Sequence, residues 1–224
     1  MNDILIIAGP SAIGKSTIAD AIIDTDPRFT YLRSATTREP RGDGRDDEYI
    51  YYTHAEFEAA IEKGVFAEHM TYGGHRYGTR NEELKRAHSE GKIPLLVLDL
   101  EGVKSLGLNP DYNTCSVYIY DELDTIERRL ECRLDPNSPE ERLVKVVEGR
   151  KRNNIADYLG IDRYSCFIYS FIHNDATIEA CKDKVLSAFR DFLSGKQPSP
   201  DNKNEAIAFL HSEAEAKMPT DKKD

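Results

Sequence analysis

Residues 4–24 run from an apolar stretch, Ile4-Leu5-Ile6-Ile7-Ala8, through Gly9-Pro10-Ser11-Ala12-Ile13-Gly14-Lys15-Ser16-Thr17. They continue into a segment that places Ile18, Ala21 and Ile22 on one helical face. A continuous β-branched run reads as a strand buried on both faces, which is how strands of parallel sheets look. The connecting turn fits G-x-x-x-x-G-K-[ST] and stands between strand and helix, the context in which this pattern carries meaning. There, loop N–H groups and the helix N-terminus cradle a polyphosphate. Lys15 reaches the β and γ phosphates, and the Ser16 hydroxyl serves Mg2+. The bland alternative is a Gly/Ser turn before an ordinary helix, but a chance match rarely sits in this context. The expectation is a binder of ATP or GTP.

The alternation continues. Strands are expected at 29–33, 49–52, 65–71 and 76–78, at 94–99 ending in Asp99, at 115–120 and at 166–172. Helices are expected from about His54 to Lys63, with Thr53 and Glu56 as a capping box, and from Asn81 as cap to about Glu90. Further helices are expected over 124–132, from a loop at 134–139 to about Asp157, and over 175–193. Such alternation defines an α/β fold with a parallel sheet, whose ligands bind beyond the carboxyl ends of the strands. The glycine loop and Asp99 both fall there. From Ser194 the composition shifts. Residues 195–200 read as a linker, 205–217 as a single isolated helix, and 218–224 as disordered.

A formal net charge of −10 argues against nucleic-acid binding by a broad basic surface. There is no apolar run of about 18 residues, so no membrane span is expected. Nor does a basic-then-hydrophobic leader precede the first strand. Cys115, Cys132, Cys166 and Cys181 lie far apart and read as reduced thiols, which points to a cytoplasmic protein.

Against that acidic background, local arginines stand out. Ser34-Ala35-Thr36-Thr37-Arg38-Glu39-Pro40-Arg41 offers Arg38 and Arg41, whose guanidinium forks suit a phosphate. Tyr49 and Tyr77 add hydroxyls, and Glu68 is the carboxylate of an otherwise weakly charged strand. Together they suit an acceptor with a phosphate at one end and N–H donors at the other. The alternative makes the tyrosines ordinary sheet residues and Glu68 a surface charge.

Taken in order, G-P-S-x-x-G-K-S-T, S-x-T-T-R-x-P-R, a tyrosine and a helix, F-x-E, Y-G-T and D-x-x-G-V resemble guanylate kinase over about Ile4 to Leu193. The resemblance implies a P-loop NTPase-type α/β fold: a parallel core sheet flanked by helices, with an inserted mixed α/β GMP-binding domain and a lid. The core would comprise 1–33 and 94–194, with the lid at about 133–150, the GMP-binding domain 34–93, and a linker and tail 195–224. It implies transfer of the γ-phosphoryl group of ATP to GMP, and to dGMP, with Mg2+. The partners would be these small molecules, with neither nucleic acid nor membrane, in a monomer or homodimer.

By residue, the resemblance puts Gly9, Ser11, Gly14, Lys15, Ser16 and Thr17 on the ATP phosphates and Asn174 near adenine. Arg38, Arg41, Tyr49 and Tyr77 would hold the GMP phosphate. Ser34 and Glu68 would read guanine with help from Thr79, and Asp99 would lie near the base and the metal. Arg133 matches a lid arginine. Four departures accompany it. Ala12 replaces a usual glycine, harmless only if φ there is negative. Val97 stands where a first acid is usual. The second lid arginine aligns with about Val146, leaving Arg142, Lys145 or Arg150 to substitute. The tail has no counterpart. A kinase with an altered acceptor, or a non-catalytic binding module of the guanylate-kinase-like type, are the alternative readings. Such modules typically lack the intact loop present here.

Overall fold

The structure, a computed structural model, describes residues 2–40, 49–132 and 140–218. Its strands are β1 (Asp3–Ala8), β2 (Phe29–Tyr31), β3 (Ser34–Thr36), β4 (Tyr49–Tyr51), β5 (Phe66–Tyr72), β6 (His75–Arg80), β7 (Ile93–Val97), β8 (Asn113–Tyr120) and β9 (Ser170–His173). Its helices are α1 (Lys15–Thr25), α2 (His54–Glu62), α3 (Asn81–Ser89), α4 (Leu100–Gly107), α5 (Leu123–Cys132), α6 (Glu140–Gly160), α7 (Ile178–Leu193) and α8 (Pro200–Ala216).

Two sheets organise these elements. The first is parallel, in the order β2-β7-β1-β8-β9, so β1 lies at its centre with Leu5 beside both Leu95 and Cys115. That position explains the unbroken apolar run: Ile4 to Ala8 are fully buried, facing helices on both sides. The second sheet, β4-β3-β6-β5, is mixed. Its β5–β6 hairpin turns at Gly73-Gly74, both with φ > 0, which matches the twist of the paired strands. The Thr53–Glu56 capping box is present at the start of α2. The P-loop type α/β class expected from the sequence is the fold observed.

Several boundaries differ. The last strand is Ser170–His173, not 166–172, because Ser165–Phe167 forms a 3-10 turn before the chain reaches β8. Helix α7 begins at Ile178, since Thr177 accepts from Ala180 N and caps it. Arg80, not Asn81, is the N-cap residue of α3; the Asn81 side chain instead donates to Gly64 O and accepts from Tyr112. Strand β7 stops at Val97, and Asp99 caps α4, a short helix absent from the sequence reading.

The largest correction concerns the tail. The helix expected to be isolated is α8, which starts at Pro200 with Ser199 as its cap and packs into the core. Ala206, Leu210 and Ala214, one turn apart, are buried there. Asn202 pairs with both backbone groups of Phe171, closing the outer edge of β9. At its other end Glu213 accepts from Leu123 N at the start of α5, and Lys217 pairs with Asp124 and Glu127. No helix among the described residues is long and apolar enough to cross a membrane.

Candidate active site

The glycine loop joins β1 to α1 in a conformation that few residues adopt. Gly9 has φ 144, and a Cβ there would stand 2.2 Å from the Ile119 carbonyl oxygen. Gly14, with φ 105, is the N-cap residue of α1; no side chain caps it and no acid occupies its first turn. The helix N-terminus therefore keeps its donors and its positive end for an anion. Ala12 has φ 69, the left-handed region, so the condition for a harmless replacement of glycine is not met. Lys15 Nζ donates to Gly9 O at 2.8 Å and Pro10 O at 2.9 Å, holding its charge at the loop.

Two asparagines from distant elements brace this loop. On α6, buried Asn154 accepts from Ser11 N at 2.8 Å and donates to Ser11 O at 3.2 Å. After β9, Asn174 donates to Ile13 O at 2.9 Å, while its own N–H donates to Tyr120 O. Asn154 went unread in the sequence because its partner lies 143 residues away.

A cavity of about 260 Å³ opens on one side of the loop. Gly9, Ser11, Lys15 and Ser16 line it together with Ser34, Tyr49, Glu68, Tyr77 and Asp99, so most of the acceptor residues expected from the sequence meet the phosphate loop in one space. Arg38 is not part of this lining; it is buried, its guanidinium 4.9 Å from the ring centroid of Tyr49, which is, and its Nη1 has no hydrogen-bond partner.

Glu68 is the one fully buried residue of β5. A register shift between Phe66 and Glu68 turns it inward opposite Thr79. Thr79 Oγ1 donates to its Oε1 at 2.6 Å, and Oε2 has no partner. Burial, with a smaller contribution from the charge of Asp99, raises its carboxyl to about 7. Asp99 accepts from Gly102 N at 2.8 Å, and burial raises its carboxyl as well.

On the other side of the loop lies a larger cavity of about 580 Å³, lined by Ala12, Ile13, Gly14, Thr17, Asn174, Ile178 and, from α5, Arg128, Arg129 and Cys132. Ser16 and Thr17 thus face different spaces. Arg129 is tied to buried Asp121 at 3.1 Å. Asp121, Glu122 and His173 could offer metal-ligand atoms within 4.8 Å of one another. Arg129 already occupies Asp121, however, and Tyr120 and Phe209 pack on the His173 ring, so the cluster reads as a structural joint between α5, β9 and α8.

Arg150 stands on α6 one turn before Asn154 and lines neither cavity. Arg41 and Arg133, both expected to contact phosphates, lie outside the described residues. The oxygen donors of Ser16 and Asp99 are of the hard type that suits Mg2+.

The guanylate kinase family model matches residues 1–182. The chain is 32% identical over 197 residues to a guanylate kinase of Chlorobium luteolum, covering 87% of this chain and 94% of that one. It is 28% identical over 200 residues to a guanylate kinase of Rubrobacter xylanophilus, covering 87% and 97%. The crystal structure of a guanylate kinase from Anaplasma phagocytophilum superposes with a TM-score of 0.61 at 20% identity, covering 92% and 93%, a likeness of fold.

Proposed function

The chain belongs to the guanylate kinase family, and on that premise we propose that it transfers the γ-phosphoryl group of ATP to GMP, and to dGMP, giving ADP and the nucleoside diphosphate. The observation that carries this reading is one shared cavity. Lys15 and Ser16 of the phosphate loop face the same space as Glu68, whose buried Oε2 lacks a partner. An unsatisfied buried carboxylate oxygen is costly unless a ligand completes it. Guanine, with N1–H and an exocyclic amine, supplies the two donors.

In this reading Gly9, Ser11, Gly14, Lys15, Ser16 and Thr17 hold the ATP phosphates, with Asn174 beside adenine. Arg38, Arg41, Tyr49 and Tyr77 hold the GMP phosphate, while Ser34 and Glu68, steadied by Thr79, read the base. The acceptor phosphate is already anionic, so alignment and charge neutralisation replace a strong general base. Lys15, Arg38, Arg133 and Arg150 neutralise charge as the phosphoryl group moves in line between the two sides of the loop. Ser16 and Asp99 would hold Mg2+, which when bound offsets charge on the β and γ phosphates. Closure over the cavity excludes water that would otherwise hydrolyse ATP.

A coupled ADP-release assay with ATP, Mg2+ and GMP, dGMP, IMP, AMP, CMP or UMP tests the proposal. Turnover on GMP with little on AMP supports it. Turnover on another acceptor alone moves the base site. Nucleotide binding without turnover on any acceptor removes the catalytic reading.

A further inference from the structure

Asp157, on α6, three residues beyond Asn154, also lines the acceptor cavity, beside Lys15, Ser16 and Asp99. Asp99 reaches that lining from the cap of α4 and Asp157 from α6, so two different elements bring a carboxylate to it. Two carboxylates brought to one cavity repel each other, and a positive ion between them is what makes such a pair favourable. The space is also built for a ligand: in the same lining Glu68, 4% exposed, keeps an oxygen without a partner. At Val97, in the same lining, the chain offers no carboxylate. Asp157 brings one to the cavity from a different element. With the Ser16 hydroxyl, Asp99 and Asp157 make an all-oxygen donor set, the chemistry a small hard divalent cation selects.

Resting on the kinase reading of this cavity, we infer that Asp157 is the second carboxylate of the divalent-cation site, sharing with Asp99 and Ser16 the Mg2+ that accompanies ATP.

Electron paramagnetic resonance of Mn2+ titrated into the unliganded protein reads the site without turnover. The wild type binds Mn2+. Asp157→Asn weakens that binding by at least about tenfold. Asp157→Glu, which keeps the charge, retains it, and circular dichroism shows both variants folded. Equal Mn2+ affinity in Asp157→Asn, or no Mn2+ binding by the wild type, overturns the assignment. Calorimetry with ATP in EDTA separates the two layers. If the wild type binds ATP while Asp157→Asn leaves Mn2+ affinity unchanged, only the role of Asp157 falls. If the wild type binds no ATP, the kinase reading falls and takes the assignment with it.

Discussion

Thr79 Oγ1 and Glu68 Oε1 are joined at 2.6 Å inside a sheet, and the second oxygen of that carboxylate is left facing a cavity with no partner. This is a group whose folded-state value, about 7, lies above its ordinary one of 4.5 because of burial. Below about pH 7 the unliganded fold keeps it protonated. The cost is absent below about pH 4.5, accumulates as pH rises, and is complete above about pH 7, on the order of 3 kcal/mol. Glu68→Gln therefore raises the unfolding free energy of the unliganded protein at pH 8 far more than at pH 4.5. Urea melts at the two pH values check it; an equal gain at both contradicts the burial assignment.

Ala12 is the one non-glycine residue with positive φ among the described residues. The left-handed region costs an alanine about 1–2 kcal/mol, against less than 1 kcal/mol of added chain entropy for glycine. Ala12→Gly is expected to raise Tm by about 1–4 °C, read by differential scanning fluorimetry. Ala12→Val, with a branched side chain at the same φ, lowers it and weakens ATP binding.

Asn154 satisfies both backbone groups of Ser11. Asn154→Ala leaves a part-buried N–H and carbonyl unpaired and frees the loop from α6. The expected cost is about 1–3 kcal/mol of stability, together with a several-fold rise in KM for ATP and a smaller change in KM for GMP. Steady-state kinetics with each substrate varied in turn decide it, since a purely structural loss would move both alike.

What could be read from the sequence followed the range of the interactions. The loop and the capping box at Thr53 are local patterns with local causes. Glu68 drew notice as the carboxylate of a weakly charged strand, but the register shift beside Phe66 that buries it has no local signature. Asn154 meets Ser11 across 143 residues, and Asp157 joins Lys15 and Ser16 only in the lining of a cavity, so neither leaves a spacing to find. Ala206, Leu210 and Ala214 did carry a signal, a repeat of four along α8. Two of the three are alanines, whose small side chains understate how closely that face docks. The 166–172 run was apolar enough for a strand, yet the 3-10 turn at Ser165–Phe167 delays pairing until Ser170.

Helix α8 shares the core, so its loss is felt throughout the fold. Leu210 is fully buried, and Leu210→Ala is expected to cost about 2–5 kcal/mol in a single cooperative transition. Coincident denaturation curves from circular dichroism and tyrosine fluorescence test this. A separate early transition for the tail would mean that it folds independently.

The most direct test of the account is the ratio of kcat/KM for GMP to that for AMP, measured with saturating ATP and Mg2+ on the wild type, Glu68→Gln and Lys15→Ala. The account predicts a strong GMP preference in the wild type and a GMP/AMP ratio that collapses in Glu68→Gln by a factor equivalent to a few kcal/mol. It also predicts that Lys15→Ala remains folded but transfers no phosphate. A wild type that does not prefer GMP, an unchanged ratio in Glu68→Gln, or near-normal turnover in Lys15→Ala would contradict it.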